Sequence, residues 1–310
     1  MTLSPEMRRD FAVVIPAFDE APVVPELVRE LRDTFQRWGL EGEVLLVDDG
    51  STDGTGELAE SEAQDWPGFR VLRHRINRGK TEAMVTAAEA TDRTWLVLFD
   101  ADLQHATDDI PRFLEKLQEG WDIVTGRKVG AYEKRGVSSV YNRMSQAIFK
   151  VPVSDLNSMK AFRREIVEEI PLRHDWHRFF VVLAHHRGYS VGEIDIELLP
   201  RRAGESKFSG RSRIVVGVID LLSVWFLLIF SQKPLQLFGT LGGVLMGTGV
   251  VVGLVAFYLR FGLGFGFRPF LYLVILLVTV GVILVGVGLL AEMVAQLRGE
   301  VEALRRERRG

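Results

Sequence analysis

Cysteine is absent from all 310 residues, so neither disulfides nor thiolate chemistry enter the account. Charge is missing from two long stretches, 234–259 and 269–291. Each exceeds the roughly 20 residues that cross a hydrocarbon core about 30 Å thick. Two membrane spans joined by a short outer loop, Arg260 to Arg268, are therefore expected in preference to two buried core helices. The first thirty residues hold no apolar stretch behind a basic start, so no cleaved secretory signal is expected and the N-terminal part is assigned to the cytoplasm. Arg211, Arg213 and Lys233 precede the first span, and Arg298, Arg305, Arg306, Arg308 and Arg309 follow the second, which sets both termini inside. Arg260 and Arg268 oppose that bias mildly. Internal repeats and low-complexity tracts are missing too. The net charge of −3 identifies no partner, and no nucleic acid is expected as one.

What is present is an alternation of short apolar runs and helical patterns. Phe11 to Ile15, Val44 to Val47, Arg70 to Arg73, Trp95 to Phe99 and Ile123 to Thr125 read as strands. Helices are expected over Val23 to Trp38, Lys80 to Ala90, Thr107 to Gln118 and Ser138 to Phe149. Two short helices and a strand near Ser190 to Leu198 follow, and Ser51 or Asp53 is expected to cap the helix after the second strand. This order indicates an α/β domain with a mostly parallel central sheet. Ligands of such sheets sit beyond the carboxyl ends of the strands, where Pro16, Asp48, Asp49 and the segment Asp100 to Gln104 fall. The expected organisation is a catalytic domain over 1–213, an interfacial amphipathic helix over 214–232, a transmembrane hairpin over 233–292 and a basic tail over 293–310. The segment from 214 is set in the interface because Asp220 at a bilayer centre costs at least about 2.5 kcal/mol. Gly239, Gly243 and Gly247 recur every fourth residue of the first span and would let another helix approach, within the chain or from a second copy.

The chemistry concentrates in LVLFDADLQH, Leu96 to His105. A departing diphosphate needs a cation, and hard divalent ions choose oxygen ligands. Asp100, Asp102 and Gln104, at alternate positions of an extended segment, would point the same way toward one Mg²⁺ or Mn²⁺ ion.

PAFDE at Pro16 to Glu20, DDGSTDGT at Asp48 to Thr55, NRGKTEA at Asn77 to Ala83, and DADLQH occur in that order. The set resembles the successive motifs of family 2 glycosyltransferases with the GT-A fold. The second half, with GRK at Gly126 to Lys128, the segment Asp155 to Arg163 and R-x-x-G-E-S-K around Arg202, is similar to the polyprenyl-phosphate glycosyltransferases. That group includes dolichyl-phosphate mannose synthases and undecaprenyl-phosphate glucosyltransferases of the GtrB type. The resemblance implies a nucleotide-sugar donor bound by Pro16, Phe18, Glu20, Asp49, Asp100, Ala101 and Asp102, and a metal at Asp100, Asp102 and Gln104. It implies an acceptor phosphate gripped by Arg127, Arg135, Arg202, Ser206 and Lys207, with Asp102 and Arg127 as catalytic residues.

Electrostatics support the same assignment. A lipid phosphate is ionised at neutral pH and attacks the anomeric carbon without a general base, so cations must offset the repulsion between two anionic substrates. Arg201, Arg202, Lys207, Arg211 and Arg213 cluster where the chain meets the membrane. The chain departs from the family pattern at Phe18-Asp19-Glu20, where Tyr-Asn-Glu is usual, at Ala106, and at Ser158 to Arg163, which bears on the donor sugar. The expectation is an inverting hexosyltransferase acting on dolichyl or undecaprenyl phosphate at the cytoplasmic membrane face. The alternatives are transfer to another membrane lipid, such as diacylglycerol, or to a glycan, and a non-catalytic scaffold or lipid-sugar translocation subunit. His174, His177, His185 and His186 lack a tight ligand spacing and are read as surface or substrate-positioning residues.

Overall fold

A computed structural model describes residues 3–129, 151–153, 155–156, 158–170, 179–200, 234–266 and 268–307. The expected interfacial helix, the helix over Ser138 to Phe149, His174 and His177 lie outside these residues. The chain divides into two compact units, Met1–Ile214 and Val215–Gly310.

The first unit is built on seven strands: β1 (Phe11–Ala17), β2 (Glu43–Asp48), β3 (Phe69–Arg73), β4 (Trp95–Leu98), β5 (Ile123–Val129), β6 (Lys160–Arg163) and β7 (Val191–Glu197). They form one sheet in the order β3-β2-β1-β4-β6-β5-β7. Every neighbouring pair is parallel except those of β6, which runs against both β4 and β5. The mostly parallel α/β architecture is therefore as expected. The helices are α1 (Val24–Trp38), α2 (Thr55–Glu62), α3 (Lys80–Glu89), α4 (Asp109–Gln118), α5 (Arg164–Glu169) and α6 (Phe180–His186).

Strands buried on both faces must be apolar throughout, and VVI in β1, VLLV in β2 and WLVL in β4 satisfy this. Val13, Ile15, Val44, Leu46 and Val97 share a core with Leu27, Leu31 and Phe35 of α1 and with Phe113 and Leu117 of α4. On the other side α3 lies against β1 and β2, and Phe180 of α6 meets Phe162 of β6 at 4.6 Å between ring centres. Two details differ from expectation. β5 continues through Gly126 to Val129, so Arg127 stands inside a strand. Within the segment Asp155 to Arg163, Lys160–Arg163 forms the antiparallel β6, a strand disguised by its leading lysine.

The second unit is a hairpin of α7 (Pro234–Phe261) and α8 (Arg268–Glu307). Both are long and apolar enough to cross a membrane. α7 and α8 approach closely at Gly242 and Gly249: a Cβ on Gly242 would lie 2.6 Å from the Gly281 carbonyl oxygen, and one on Gly249 2.9 Å from Val278. Of the glycines expected to admit another helix, Gly239 lies beside α8, its nitrogen 3.5 Å from where a Cβ on Gly288 would stand, whereas Gly243 and Gly247 have no atom within 4 Å of a Cβ. The side chain of Glu292 accepts the Leu235 amide at 3.1 Å, fixing the start of α7 against α8. Helix α8 then runs unbroken through 293–307, the stretch read from sequence as a tail.

Candidate active site

The strand order puts the loops after Ala17, Asp48 and Leu98 side by side at one sheet edge. Side chains of one loop satisfy the backbone of the next. Asp19 donates its amide to Ser51 Oγ at 3.0 Å, Glu20 to Thr55 Oγ1 at 2.9 Å, Ala21 to Asp53 Oδ2 at 3.0 Å, and Thr52 to Asp19 Oδ1 at 2.9 Å. Asp19 has φ 51°, a left-handed conformation that Asp and Asn tolerate best among non-glycine residues. The aspartate that departs from the family pattern thus holds its own loop. Neither Ser51 nor Asp53 stands at the N-cap of α2, contrary to expectation. Both are committed to the first loop, and Gly54 takes that position with φ 86°. Asp53 Oδ1 still accepts the Thr55 amide at 3.1 Å.

Asp49 organises a third loop. Its Oδ1 lies 2.6 Å from His74 Nδ1 and accepts the Arg78 amide at 2.8 Å, while Oδ2 accepts the Gly79 amide at 2.7 Å. His74 Nε2 meets Thr86 Oγ1 at 2.9 Å. The Asp49 and His74 side chains are only 6% and 5% exposed, so the carboxylate assigned to the nucleoside by sequence is directed into the fold. Gly50 permits this closeness. At φ +78° it has the Ile76 carbonyl carbon 2.6 Å from where a Cβ would stand.

Beyond β4 the backbone does not continue extended. Leu103 turns left-handed at φ 52°, and Asp102 Oδ1 accepts the Gln104 amide at 3.2 Å across it. Asp100, Asp102 and Gln104 therefore lie on a tight turn and not at alternate positions of a strand. A non-glycine residue in this region costs of order 1–3 kcal/mol, and full burial of the Leu103 side chain in the core holds it there. Ala101 is buried beside it, while Pro16 belongs to β1, opposite Val47, and Phe18 is half-buried in the first loop. Among the described residues no group of three His, Cys, Asp or Glu side chains is arranged to hold a metal. Two carboxylates on one turn fit instead a hard divalent ion that completes its coordination with substrate phosphates and water.

A charged cluster adjoins this turn. Lys80, the first residue of α3, pairs with Asp100. Lys128 of β5 lies 3.3 Å from Asp155. Between these pairs, Lys160 is 2% exposed and donates to the Leu156 carbonyl at 3.0 Å. Burial, with Lys80 nearby, pulls its ammonium down to about 7. Leu98, Lys160 and Thr125 form one row across β4, β6 and β5, so a lysine replaces an apolar residue at the site end of the sheet. His105 is likewise buried, which lowers it to about 4 and leaves the ring neutral at physiological pH.

Arg127 forks onto Asp195 of β7, Nε to Oδ1 at 2.6 Å and Nη2 to Oδ2 at 3.0 Å. Both side chains are about half exposed. Arg135, Arg202, Ser206 and Lys207 lie outside the described residues. Glu20 reaches the site edge with its amide bound to Thr55. Sequence reasoning quoted Lys80 and Lys128 within motifs without assigning them roles, and passed over His74. The signal for Lys80 was its position, the first helical residue after a glycine in the loop that faces the carboxylates.

The sequence model described as glycosyl transferase family 2 matches residues 12–184. Two relatives are undecaprenyl-phosphate 4-deoxy-4-formamido-L-arabinose transferases. The one from Klebsiella pneumoniae (strain 342) is 28% identical over 301 residues, and the one from Enterobacter sp. (strain 638) is 28% identical over 302. In each case the match spans 94% of this chain and 90% of the relative. The fold is shared with glucosyl-3-phosphoglycerate synthase from Mycobacterium tuberculosis. The complex of that enzyme with Mn²⁺, UDP and glucosyl-3-phosphoglycerate matches with a TM-score of 0.56 at 18% identity, over 71% of this chain and 80% of that one. Its complex with Mg²⁺ and UDP matches with a TM-score of 0.55 at 18% identity, over 69% and 80%. With the family match spanning more than half its length and its four loop motifs gathered at one sheet edge, the chain belongs to glycosyl transferase family 2 and is a glycosyltransferase with the GT-A fold.

Proposed function

We propose that the chain transfers one hexose from a nucleotide-sugar, of the UDP-glucose or GDP-mannose type, to dolichyl or undecaprenyl phosphate at the cytoplasmic face of the cell membrane, with inversion at the anomeric carbon. The observation that carries this is the bond from the Leu199 amide to the Gln104 carbonyl, 2.8 Å. It starts the chain toward the basic segment Arg201 to Arg213 from the lip of the turn that bears Asp100 and Asp102. The arginines and lysine of that segment follow Leu199 closely in the sequence, and cations are what drawing in a second anionic substrate requires.

In this proposal Asp100, Asp102 and Gln104 hold a divalent cation, Mg²⁺ or Mn²⁺, which when bound neutralises charge on the leaving nucleoside diphosphate. Arg127, with Arg135, Arg202, Ser206 and Lys207, orients the acceptor phosphate, whose ionised oxygen needs no base. Asp155 would be the base for a hydroxyl acceptor. It is buried with its carboxylate 3.3 Å from Lys128, already engaged by an internal cation, which favours phosphate over diacylglycerol. The relatives transfer a sugar to undecaprenyl phosphate by name, and the apolar hairpin α7–α8 offers a membrane anchor for the same kind of acceptor.

The test is a panel of nucleotide-sugars supplied to the purified full chain with a single polyprenyl phosphate, the lipid product being read by mass. One donor giving a polyprenyl-phosphate hexose supports the proposal, and Asp102→Asn should abolish it while leaving membrane insertion intact. Transfer to diacylglycerol in place of polyprenyl phosphate, or undiminished turnover by Asp102→Asn, sinks it.

A further inference from the structure

Helix α8 is 40 residues long, about 60 Å at 1.5 Å per residue, twice the thickness of a hydrocarbon core. Its charge-free stretch ends at Ala291 and its contact with the start of α7 is at Glu292. Past that point the helix still carries apolar side chains in a regular row. Val294, Leu297 and Val301 are 58%, 59% and 50% exposed, although the residues between them are largely polar or small. With Leu290 before and Leu304 after, the spacing alternates four and three residues. That is the 3.5-residue repeat of a coiled-coil seam, with valine at each a position and leucine at each d position.

We propose that residues 290–304 of α8 form a parallel two-stranded coiled coil with the same segment of a second copy of this chain. Three features select that occupant. Valine at a with leucine at d favours two parallel strands. Membrane insertion, on which this inference rests, points every copy of α8 in the same direction and confines copies to one surface, so a seam of only two heptads associates at a high effective concentration. In the sequence register Glu300 takes position g and Arg305 the following e, the two positions that oppose each other between parallel helices, and their charges are complementary. The face α8 uses against α7 is a different one, marked by Gly281 meeting Gly242, so the seam is not consumed by the hairpin. Its consequence is a pair of transferases held side by side at the membrane surface.

The chain's lack of cysteine permits a clean test. Single variants Val294→Cys, Leu297→Cys and Val301→Cys are placed on the seam, and Gln296→Cys and Gly299→Cys off it. A Cβ at Gly299 has no atom within 4 Å. Each is expressed at low level, the membranes are washed with carbonate, and mild oxidant is applied. The expected result is a disulfide-linked dimer for the three seam variants, at least fivefold more abundant than for the two others. Equal cross-linking at all five positions, or none at the seam in protein retained by the washed membranes, overturns the coiled coil. Release of the chain by the carbonate wash would instead overturn membrane insertion, and retained hexosyl transfer in every variant shows that the protein is folded.

Discussion

Lys80 sets its ammonium on the carboxylate of Asp100, so one of the three proposed cation ligands has a cationic partner before any ion arrives. Lys80→Met removes that competitor. Mn²⁺ should then bind the nucleotide-free protein more tightly, by about fivefold for a partly buried pair worth about 1 kcal/mol. Calorimetric titration of both proteins measures this, and unchanged or weaker Mn²⁺ binding would remove Asp100 from the ligand set.

Gly50 and Gly54 stand four residues apart, both with positive φ, yet their surroundings differ. A Cβ at Gly54 meets nothing within 4 Å, whereas one at Gly50 strikes the backbone at Ile76. Gly54→Ala should lose about 1–2 kcal/mol, the cost of the left-handed backbone alone. Gly50→Ala should lose at least twice that and raise the donor KM, because residues 76–77 must move. Denaturant unfolding paired with donor kinetics tests the contrast, and equal losses at the two glycines would contradict it.

Lys160 gives the folded domain a pH signature. Its folded-state value, about 7, is depressed by burial from the ordinary lysine value of 10.5. Between those values the unfolded chain retains a proton that the folded chain has released, so this group makes stability rise with pH from 7 toward 10. Below about pH 7 its buried charge is a standing penalty. Lys160→Met lacks the dependence. Wild type should therefore gain on the variant between pH 6.5 and 9.5, and parallel unfolding midpoints across that range would count against a depressed Lys160.

Arg127 and Asp195 form an exposed fork, a type of pair that adds little stability. Asp195→Asn should leave the unfolding midpoint nearly unchanged and release Arg127 toward the acceptor, lowering the KM for polyprenyl phosphate about threefold. Arg127→Ala should raise that KM tenfold or more. If neither substitution changes acceptor kinetics, Arg127 belongs to the scaffold.

The parallel half of the sheet was legible because buried strands such as Leu96 to Phe99 are unbroken apolar runs that stop at carboxylates. β6 was not, since Lys160 breaks the apolar signal and its burial depends on contacts with β4 and β5, which are distant in sequence. The carboxylates at 100 and 102 were found by type and order. Their arrangement was missed because the left-handed turn at Leu103 is imposed by core packing, and leucine carries no local preference for it. Asp49 was singled out for the nucleoside, while its bonds to His74 and to the Arg78 and Gly79 amides were not foreseen, because a motif position does not reveal partners from a loop about 25–30 residues away.

The mutual bonding of the first two loops also governs how this site can be re-engineered. Asp19, Glu20 and Ala21 use acceptors from the loop after β2, and Asp19 returns the service to Thr52. A graft of either loop alone from another family member would strand these donors. Donor preference should therefore transfer only as a matched cassette of residues 18–21 and 51–55, inherited or exchanged together.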